Sequence, residues 1–446
     1  MSDIKVSKEE LLRKANKPAE DAMQLHPFYK GKVEVSPKCC IRDINDFAIW
    51  YTPGVAAVCK DIQAHPEKVY EHTNKGNMVA VVSDGTRVLG LGDIGPEAGL
   101  PVMEGKGLIF KYLGGVDAFP ICLATKDPAE IIRTVQLLAP SFGGVNLEDI
   151  AQPKCFDILD ELRRTMAIPV WHDDQQGTAT VCLAGLINAL KIVKKNIKDV
   201  KIVLFGAGAA NIRIGTLYMH YGAKPENLIY VDSKGTLHKG RTDLKEHREK
   251  WHMCQVTNGA QIVGKLPDAL KGADVLSAAS TPGPDVIKKE WVATMAKDAI
   301  CFLTANPIPE MWPWDAKEAG ARVVATGRSD FPNQVNNSLG FPGIFRGALD
   351  VQAKTITDEM CVAAAEALAG YAVTSGKMGE DYLLPHMDEP QVYIEEAVAV
   401  GLKAIEQGIA RKKLTEAELR ASAEFLIKRA IKDVEVRQAS GIVKLP

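Results

Sequence analysis

The stretch KIVLFGAGAAN, residues 201–211, decides the fold of this chain. Its apolar run at 202–205 is typical of a buried strand, and two glycines separate that strand from a segment that favours a helix. Glycine lets the backbone approach a pyrophosphate, which then binds at the N-terminus of the following helix. Asp232 ends the next apolar run, 232 − 208 = 24 residues beyond Gly208, near the spacing of about 20 expected for an acid that binds a ribose hydroxyl. We therefore predict a nicotinamide dinucleotide, rather than a purely structural turn, at Gly206, Ala207, Gly208, Ala209, Ala210 and Asp232.

Apolar runs of strand length continue on both sides of this turn. From about residue 200 onward they alternate with helix-length segments, which favours a parallel sheet wound by helices: KIVLFGAG, NLIYVD, ADVLSAAS, AICFLTANP and ARVVATG. Earlier runs indicate a second α/β unit: MVAVVSDG, AFPICLAT, GGVNLED and AIPVWHDD. After about residue 355 the pattern turns helical.

The predicted fold is therefore α/β, with a Rossmann-like doubly wound parallel sheet, an N-terminal α/β domain and C-terminal helices. We place the N-terminal α/β domain at residues 1–165, the dinucleotide-binding domain at 166–390 and the C-terminal helical segment at 391–446. The first domain would carry Tyr51, Lys106 and the acidic pair Glu148 and Asp149.

Composition narrows the function classes. The 446 residues are 46% hydrophobic and 25% charged, which is typical of a folded globular protein with more than one domain. The net charge of −2 and the absence of long like-charge blocks argue against nucleic acid as a partner.

No apolar run approaches the roughly 20 residues of a membrane span. Nine cysteines without C-x-x-C spacing indicate reduced thiols, and residues 7–10 resemble a capping box rather than part of a secretory signal, so we expect a cytoplasmic protein.

Two pairs of adjacent carboxylates follow predicted strands. Glu148 and Asp149 end VNLED, and Asp173 and Asp174 end VWHDD. A single such pair is usually a loop turn or a helix cap. Two pairs at matching strand ends can converge, because open α/β sheets bind ligands beyond the carboxyl ends of their strands. Converging carboxylates repel unless a cation is present, and oxygen ligands without a histidine or cysteine cluster select Mg²⁺ or Mn²⁺.

A dinucleotide together with a divalent cation suggests a specific reaction class. It is the oxidation of a hydroxy acid whose keto product loses CO₂ with the help of the metal ion. Such a reaction needs an acid and a base, for which Tyr51 and Lys106 are the candidates. Taken singly, Tyr51 is better interpreted as a core phenol and Lys106 as a solvated lysine.

The chain resembles the malic enzymes in their compact, bacterial-type form. The resemblance runs from about residue 20 to about 390 and rests on the nucleotide turn and on motifs in the same order: YTPGVA, SDGTRVLGLGDIG, PVMEGKG, FGGVNLEDI, HDDQQGTA, TANPIP and ATGRSDFPNQVNNSLGFPGIFRGALD. It implies oxidative decarboxylation of malate to pyruvate and a homodimer.

The resemblance also implies a role for each matching residue. Glu148, Asp149 and Asp174 would bind the metal ion, while Asp173 would orient the catalytic lysine. Lys106 would deprotonate the malate hydroxyl, and Tyr51 would protonate the enolate. The remaining expected contacts are Arg87 with a substrate carboxylate, and Asn306 and Asn337 with substrate or cofactor. A lysine acting as base at neutral pH must have a lowered pKa, from burial or from a nearby cation.

Two residues depart from the family pattern. Asn211 stands where relatives often carry glycine or alanine, which predicts looser packing of the nucleotide helix. Gln176 stands where many relatives have histidine, outside the expected ligand set.

The choice of cofactor and two rival functions stay open. Asp232 favours NAD, but a 2′-phosphate of NADP could bind to the basic residues that follow it, Lys234, His238, Lys239 and Arg241. The first rival is a metal-independent hydroxy-acid dehydrogenase without decarboxylation. The second is a non-catalytic nucleotide sensor that uses its helical C-terminus.

Overall fold

The computed structural model describes residues 8–446, with side chains from Lys17 onward, so the predicted capping box at 7–10 lies outside the described residues. The strands are β1 (Met78–Ser83), β2 (Asp117–Cys122), β3 (Gly144–Leu147), β4 (Val170–His172), β5 (Ile202–Phe205), β6 (Leu228–Asp232), β7 (Gly235–Thr236), β8 (Val275–Ala278), β9 (Ala299–Leu303) and β10 (Ala321–Thr326).

The helices cover the sheets and extend beyond them. They are α1 (Lys8–Tyr29), α2 (Asp46–Trp50), α3 (Val55–Ala64), α4 (Val69–His72), α5 (Pro96–Gly114), α6 (Pro128–Leu138), α7 (Lys154–Thr165), α8 (Thr178–Val193), α9 (Ala209–His220), α10 (Arg248–Val256), α11 (Leu266–Leu270), α12 (Lys289–Val292), α13 (Pro313–Glu318), α14 (Phe341–Asp350), α15 (Asp358–Thr374), α16 (Gln391–Glu406) and α17 (Glu416–Ala439).

These strands form two sheets. The first has the order β2-β1-β3-β4 and is parallel throughout. The second has the order β10-β9-β8-β5-β6-β7 and is parallel except for the two-residue β7, which runs antiparallel to β6. Strands β6 and β8 lie on opposite sides of β5, so the strand order reverses there and leaves the crevice in which such sheets bind ligands.

The predicted α/β class with a Rossmann-like sheet is confirmed. Every strand expected from an apolar run is present, whereas β7 was not predicted because two residues carry no periodic signal. Strand β4 pairs with β3, so the first sheet extends past the predicted boundary at residue 165 to His172. Apolar periodicity cannot tell which sheet a buried strand joins, and the division into domains stays a prediction.

An aromatic group joins the first sheet to the helices that cover it. The ring centroids of Phe110 and Phe341 are 4.5 Å apart, those of Phe110 and Phe345 are 5.2 Å apart, and Trp171 lies 6.3 Å from Phe345. All four side chains are fully buried, which stabilises the fold by roughly 1.5–3 kcal/mol each. The C-terminal α16 packs on α14 and α15, while α17 packs on α16 and α5.

Two further findings bear on the expected environment of the chain. One described helical stretch, Asp173–Val193, is long and apolar enough to cross a membrane by length and composition, but its apolar window is 83% buried, as in a core helix. All nine cysteines are free thiols, in agreement with the expected reduced state. The cytoplasmic location itself stays a prediction.

Candidate active site

The two acidic pairs begin side by side at the carboxyl ends of β3 and β4. Leu147, the last residue of β3, is the register partner of His172, the last residue of β4. Glu148 and Asp173 therefore leave the sheet at the same level, each followed by a second acid. The parallel pairing of the two strands thus brings together Asp149 and Asp174, which lie 25 residues apart in sequence. The backbone amide of Asp149 donates to Asp174 Oδ2 at 2.8 Å.

Three of these carboxylates form a cluster suited to a hard cation. One oxygen each from Glu148, Asp149 and Asp174 lies within 4.8 Å of the other two. Glu148 and Asp149 are only 2% and 3% exposed, and Asp149 Oδ2 has no hydrogen-bond partner among the described residues. A buried carboxylate oxygen without a donor is costly unless a cation binds it. The chemistry of this donor set therefore fits Mg²⁺ or Mn²⁺.

Electrostatics within the cluster favour protonation when no cation is bound. Burial, and next the negative charge of Asp174, raise the pKa of Asp149 to about 8. Burial also raises the pKa of Glu148 well above its ordinary value, despite the attraction of Lys106. A positive charge bound beside them would therefore stabilise the ionised form of both carboxylates.

The backbone at Asp149 is held by the loop that follows β1. Asp149 has a φ of 54°, a left-handed conformation that short polar residues adopt more readily than other side chains. The amide of Arg87 donates to the carbonyl of Asp149 at 2.9 Å. This bond places Arg87 beside the cluster while its side chain stays exposed.

Lys106 reaches the same cluster from α5. Its buried ammonium donates to Asp173, lies 3.3 Å from Glu148 Oε1 and stands 4.5 Å from the centre of the Phe341 ring. Burial disfavours the charged form, but the attraction of Asp173 and Glu148 is stronger in sum, so the pKa of Lys106 is raised. The charges of the chain itself therefore do not lower this pKa, because two carboxylates surround the amine, and the lowering expected from a nearby cation stays a prediction.

Asp173 faces Lys106 and not the three-carboxylate cluster. Its Oδ1 accepts from Trp171 Nε1 at 3.1 Å, and its Oδ2 accepts from Lys106. Residues Asp173–Gly177 form one turn of π-helix, in which a Cβ at position 177 would lie 1.9 Å from Asp173 Oδ1. Glycine at 177 therefore leaves the space that this carboxylate occupies.

The nucleotide turn has the shape expected from its glycines. Gly206 has a φ of 95°, and a Cβ there would lie 2.4 Å from the carbonyl oxygen of Ala279. Asn211 is fully buried, and its amide donates to the carbonyls of Phe205 at 2.7 Å and Ser277 at 3.3 Å. The looser packing expected at Asn211 is wrong, because this amide ties α9 to the ends of β5 and β8.

The other predicted site residues are placed less closely together. Asn306 follows β9, and the Cβ of Asn337 is 3.2 Å from the position that a Cβ of Gly177 would take. Tyr51 is 73% exposed, and no side-chain hydrogen bond joins it to another described residue. The fold of one chain thus brings together Lys106 and the acidic pairs but leaves Tyr51 on the surface.

Sequence reasoning missed the two aromatic neighbours of this site. Trp171 lies two residues before Asp173, and a buried indole needs an acceptor for its N–H, so the nearby aspartate was a usable signal. Phe341 lies on α14, far along the chain from Lys106, and no local pattern links the two.

Comparison with known proteins gives consistent matches over both sheets. Residues 30–163 match the family model described as malic enzyme, N-terminal domain, and residues 175–310 and 320–406 match malic enzyme, NAD binding domain. A bifunctional malic/malolactic enzyme of Bacillus subtilis (strain 168) is 52% identical over 88% of this chain and 94% of that protein. An NAD-dependent malic enzyme of Geobacillus stearothermophilus is 50% identical over 86% of this chain and 78% of that protein. The crystal structure of Entamoeba histolytica malic enzyme superposes with a TM-score of 0.96 at 47% identity, over 99% of this chain and 93% of that one.

The raised pKa values predict how stability depends on pH in the cation-free protein. The native state holds protons that the unfolded chain releases above about pH 4, so the free energy of unfolding should fall as the pH rises from there to about 8, the pKa of Asp149. Mn²⁺ binds ionised carboxylates and should therefore raise the thermal unfolding midpoint more near pH 8 than near about pH 5. Thermal unfolding across this range, with and without Mn²⁺, measures both effects.

Asp149→Asn supplies the control, since it removes the titrating group and should flatten the pH dependence and weaken the Mn²⁺ effect. An Mn²⁺ stabilisation of equal size at both pH values in the unaltered protein would contradict this prediction.

Proposed function

Because the chain belongs to the malic enzyme family, we propose that its carboxylate cluster is the site at which malate is oxidised and decarboxylated to pyruvate and CO₂, with reduction of NAD or NADP. The observation that carries this proposal is the convergence of Glu148, Asp149 and Asp174 beside the buried Lys106. Oxidation of a hydroxyl needs a base at such a position, and decarboxylation needs positive charge beside the resulting oxygen.

Glu148, Asp149 and Asp174 would hold the divalent cation. When bound, Mg²⁺ or Mn²⁺ would polarise the carbonyl formed at C2 and stabilise the negative charge left when CO₂ departs. Arg87, exposed beside Asp149, would bind a malate carboxylate through its guanidinium group, whose geometry suits two parallel hydrogen bonds.

Lys106 would accept the hydroxyl proton at its Nζ. In the chain alone its pKa is raised, so it needs a further positive charge nearby to become a base. A cation held by Glu148, whose Oε1 is 3.3 Å from Nζ, would supply that charge. Asp173 is buried and contacts both Lys106 and Trp171. It would hold the Lys106 amine in a fixed orientation.

The remaining residues would position the reactants. Residues 206–210 and the N-terminus of α9 would bind the pyrophosphate of NAD or NADP. The nicotinamide ring of the bound dinucleotide would supply the acceptor for the hydride of malate C2. Asn306, in the loop after β9, and Asn337, just before α14, would contact substrate or cofactor. Tyr51 would return a proton to C3 of the enolate.

Lys106→Ala tests the proposed base. It should lower kcat by at least about 10²-fold, because a positioned general base contributes that much or more. The assay mixes the protein with malate, Mn²⁺ and either dinucleotide, and follows reduced-cofactor absorbance together with pyruvate. The matched control is Lys111→Ala on the same helix, an exposed lysine paired with Asp117, which should leave kcat nearly unchanged.

Near-full activity in Lys106→Ala would remove this lysine from the mechanism. Cofactor reduction without pyruvate in the unaltered protein would favour the plain dehydrogenase, and binding of dinucleotide without turnover would favour the sensor.

The surroundings of Asp232 support NAD as the preferred cofactor. Both of its carboxylate oxygens accept from Arg241, at 3.0 and 2.8 Å, and the amides of Lys234 and Gly235 donate to Oδ1. Burial alone would raise the pKa of Asp232, but its bonds with Arg241 lower it, so the carboxylate stays ionised. Arg241 also binds Asp243 and is therefore engaged by two acids. A 2′-phosphate would meet negative charge here, whereas a ribose hydroxyl can donate to it.

We expect kcat/KM to be higher with NAD than with NADP by roughly tenfold or more, from the repulsion of a phosphate by an ionised acid. Asp232→Ser should narrow that ratio, while Lys224→Ser, which lies before β6, should not change it. Steady-state kinetics with both dinucleotides measures the ratio, and a preference for NADP in the unaltered chain would refute the assignment.

A homodimer is supported by the exposed apolar face of residues 28–55. Val35 is 82% exposed, Ile44 78% and Trp50 51%, and large apolar surfaces of this kind usually mark protein contacts. Association through this face would also cover Tyr51, which lies within it.

Ile44→Asp should therefore shift the protein from dimer to monomer, because a charge would be buried at the contact. The matched control is Val263→Asp, an apolar residue between α10 and α11 that is 71% exposed, which should leave the dimer intact. Sedimentation velocity distinguishes the species, and an unaltered protein that is monomeric would exclude the contact.

A further inference from the structure

Glu310 is a fully buried carboxylate outside the predicted site. It lies in the segment between β9 and α13 and is 0% exposed. A buried ionisable group is costly unless hydrogen bonds compensate for the lost water. Its partners therefore show what this carboxylate does in the fold.

Two loops of the second sheet are joined by this single side chain. Oε1 accepts from the backbone amide of Ser280 at 2.8 Å and from its hydroxyl at 3.1 Å. Oε2 accepts from the backbone amide of Ala305 at 3.1 Å. Ser280 belongs to the loop after β8 and Ala305 to the loop after β9, so one carboxylate fixes the distance between them.

The loop after β8 borders the crevice where the second sheet reverses its strand order, and the loop after β9 follows the neighbouring strand. The carbonyl of Ala279, adjacent to Ser280, lies 2.4 Å from the position that a Cβ of Gly206 would take. The loop after β8 therefore packs directly against the nucleotide turn. Ala305 directly precedes Asn306, whose carbonyl lies 2.5 Å from the corresponding position at Gly90 in the loop after β1. The loop after β9 therefore also contacts the loop after β1, a strand of the first sheet.

We propose that Glu310 is a positioning residue that sets the dinucleotide-binding geometry by joining the loops after β8 and β9. This inference rests on the proposed function, since it concerns how the same site binds its cofactor. Glu310 acts through Ser280 and Ala305, and it needs no contact with the dinucleotide. Its effect should appear first in dinucleotide affinity, because it holds the support of the turn at Gly206.

The chain offers a matched control for this idea. Glu396 on α16 is also 0% exposed, but neither of its carboxylate oxygens has a hydrogen-bond partner among the described residues. A change from carboxylate to amide at Glu396 removes no hydrogen bond. The same change at Glu310 turns one acceptor into an NH₂ group that faces a backbone N–H, and leaves that buried donor unpaired.

The experiment compares Glu310→Gln with Glu396→Gln. Glu310→Gln should raise both the Kd of NAD, measured by calorimetry without metal or substrate, and the KM for NAD roughly tenfold, from one lost buried hydrogen bond. Its kcat at saturating NAD should fall less than its KM rises. Glu396→Gln should keep both values within about twofold of the unaltered protein, since no hydrogen bond is lost.

The outcomes separate this inference from the proposed function. If the unaltered protein binds neither NAD nor NADP, the proposed function fails. If it binds NAD and folded Glu310→Gln binds equally well, or if Glu396→Gln weakens binding as much, the inference about Glu310 is overturned. Should Glu310→Gln not fold, Ser280→Ala removes only the hydroxyl bond to Oε1 and should raise the Kd about two- to fivefold, from one neutral hydrogen bond. An unchanged Kd in Ser280→Ala would then overturn it.

Discussion

The site depends on an excess of buried negative charge. Glu148 and Asp173 contact one ammonium group, that of Lys106, and Asp149 and Asp174 cluster with Glu148. Burial raises the pKa of Asp149 and Glu148, and mutual repulsion among the acids adds to this rise, while the attraction of Asp173 and Glu148 holds the proton on Lys106. Only another positive charge relieves both effects at once, because it lets the carboxylates ionise and lets the amine lose its proton. Cation binding and base activation are therefore one electrostatic event in the proposed mechanism.

Packing makes this arrangement possible. Parallel pairing of β3 with β4 aligns the two acidic pairs, and within the π-helical turn after β4 Asp173 contacts Lys106 while Asp174 accepts from the amide of Asp149. The buried aromatic group around Phe341 holds α5 and α14 together, so Lys106 enters the cluster on a rigid helix. Such a cluster of like charges persists because a large apolar core elsewhere stabilises the fold.

Much of this architecture could be predicted from local sequence. Apolar runs of strand length located the parallel strands, and the two glycines after β5 located the nucleotide turn, since both signals are local in sequence. The acidic pairs were found for the same reason. The sheet that β4 joins, the exposure of Tyr51 and the support given by Asn211 could not be found in this way, because each depends on residues distant in the chain.

The sequence by itself determined the class of fold, the positions of the strand ends and the kinds of side chain that stand there, because these follow from periodicity and residue chemistry. The tertiary structure alone decided which acid faces the lysine, that the chain's own charges keep that lysine protonated, and that Glu310 joins two loops of the second sheet. Those features depend on distances and burial between remote segments, and charge interactions change steeply with both.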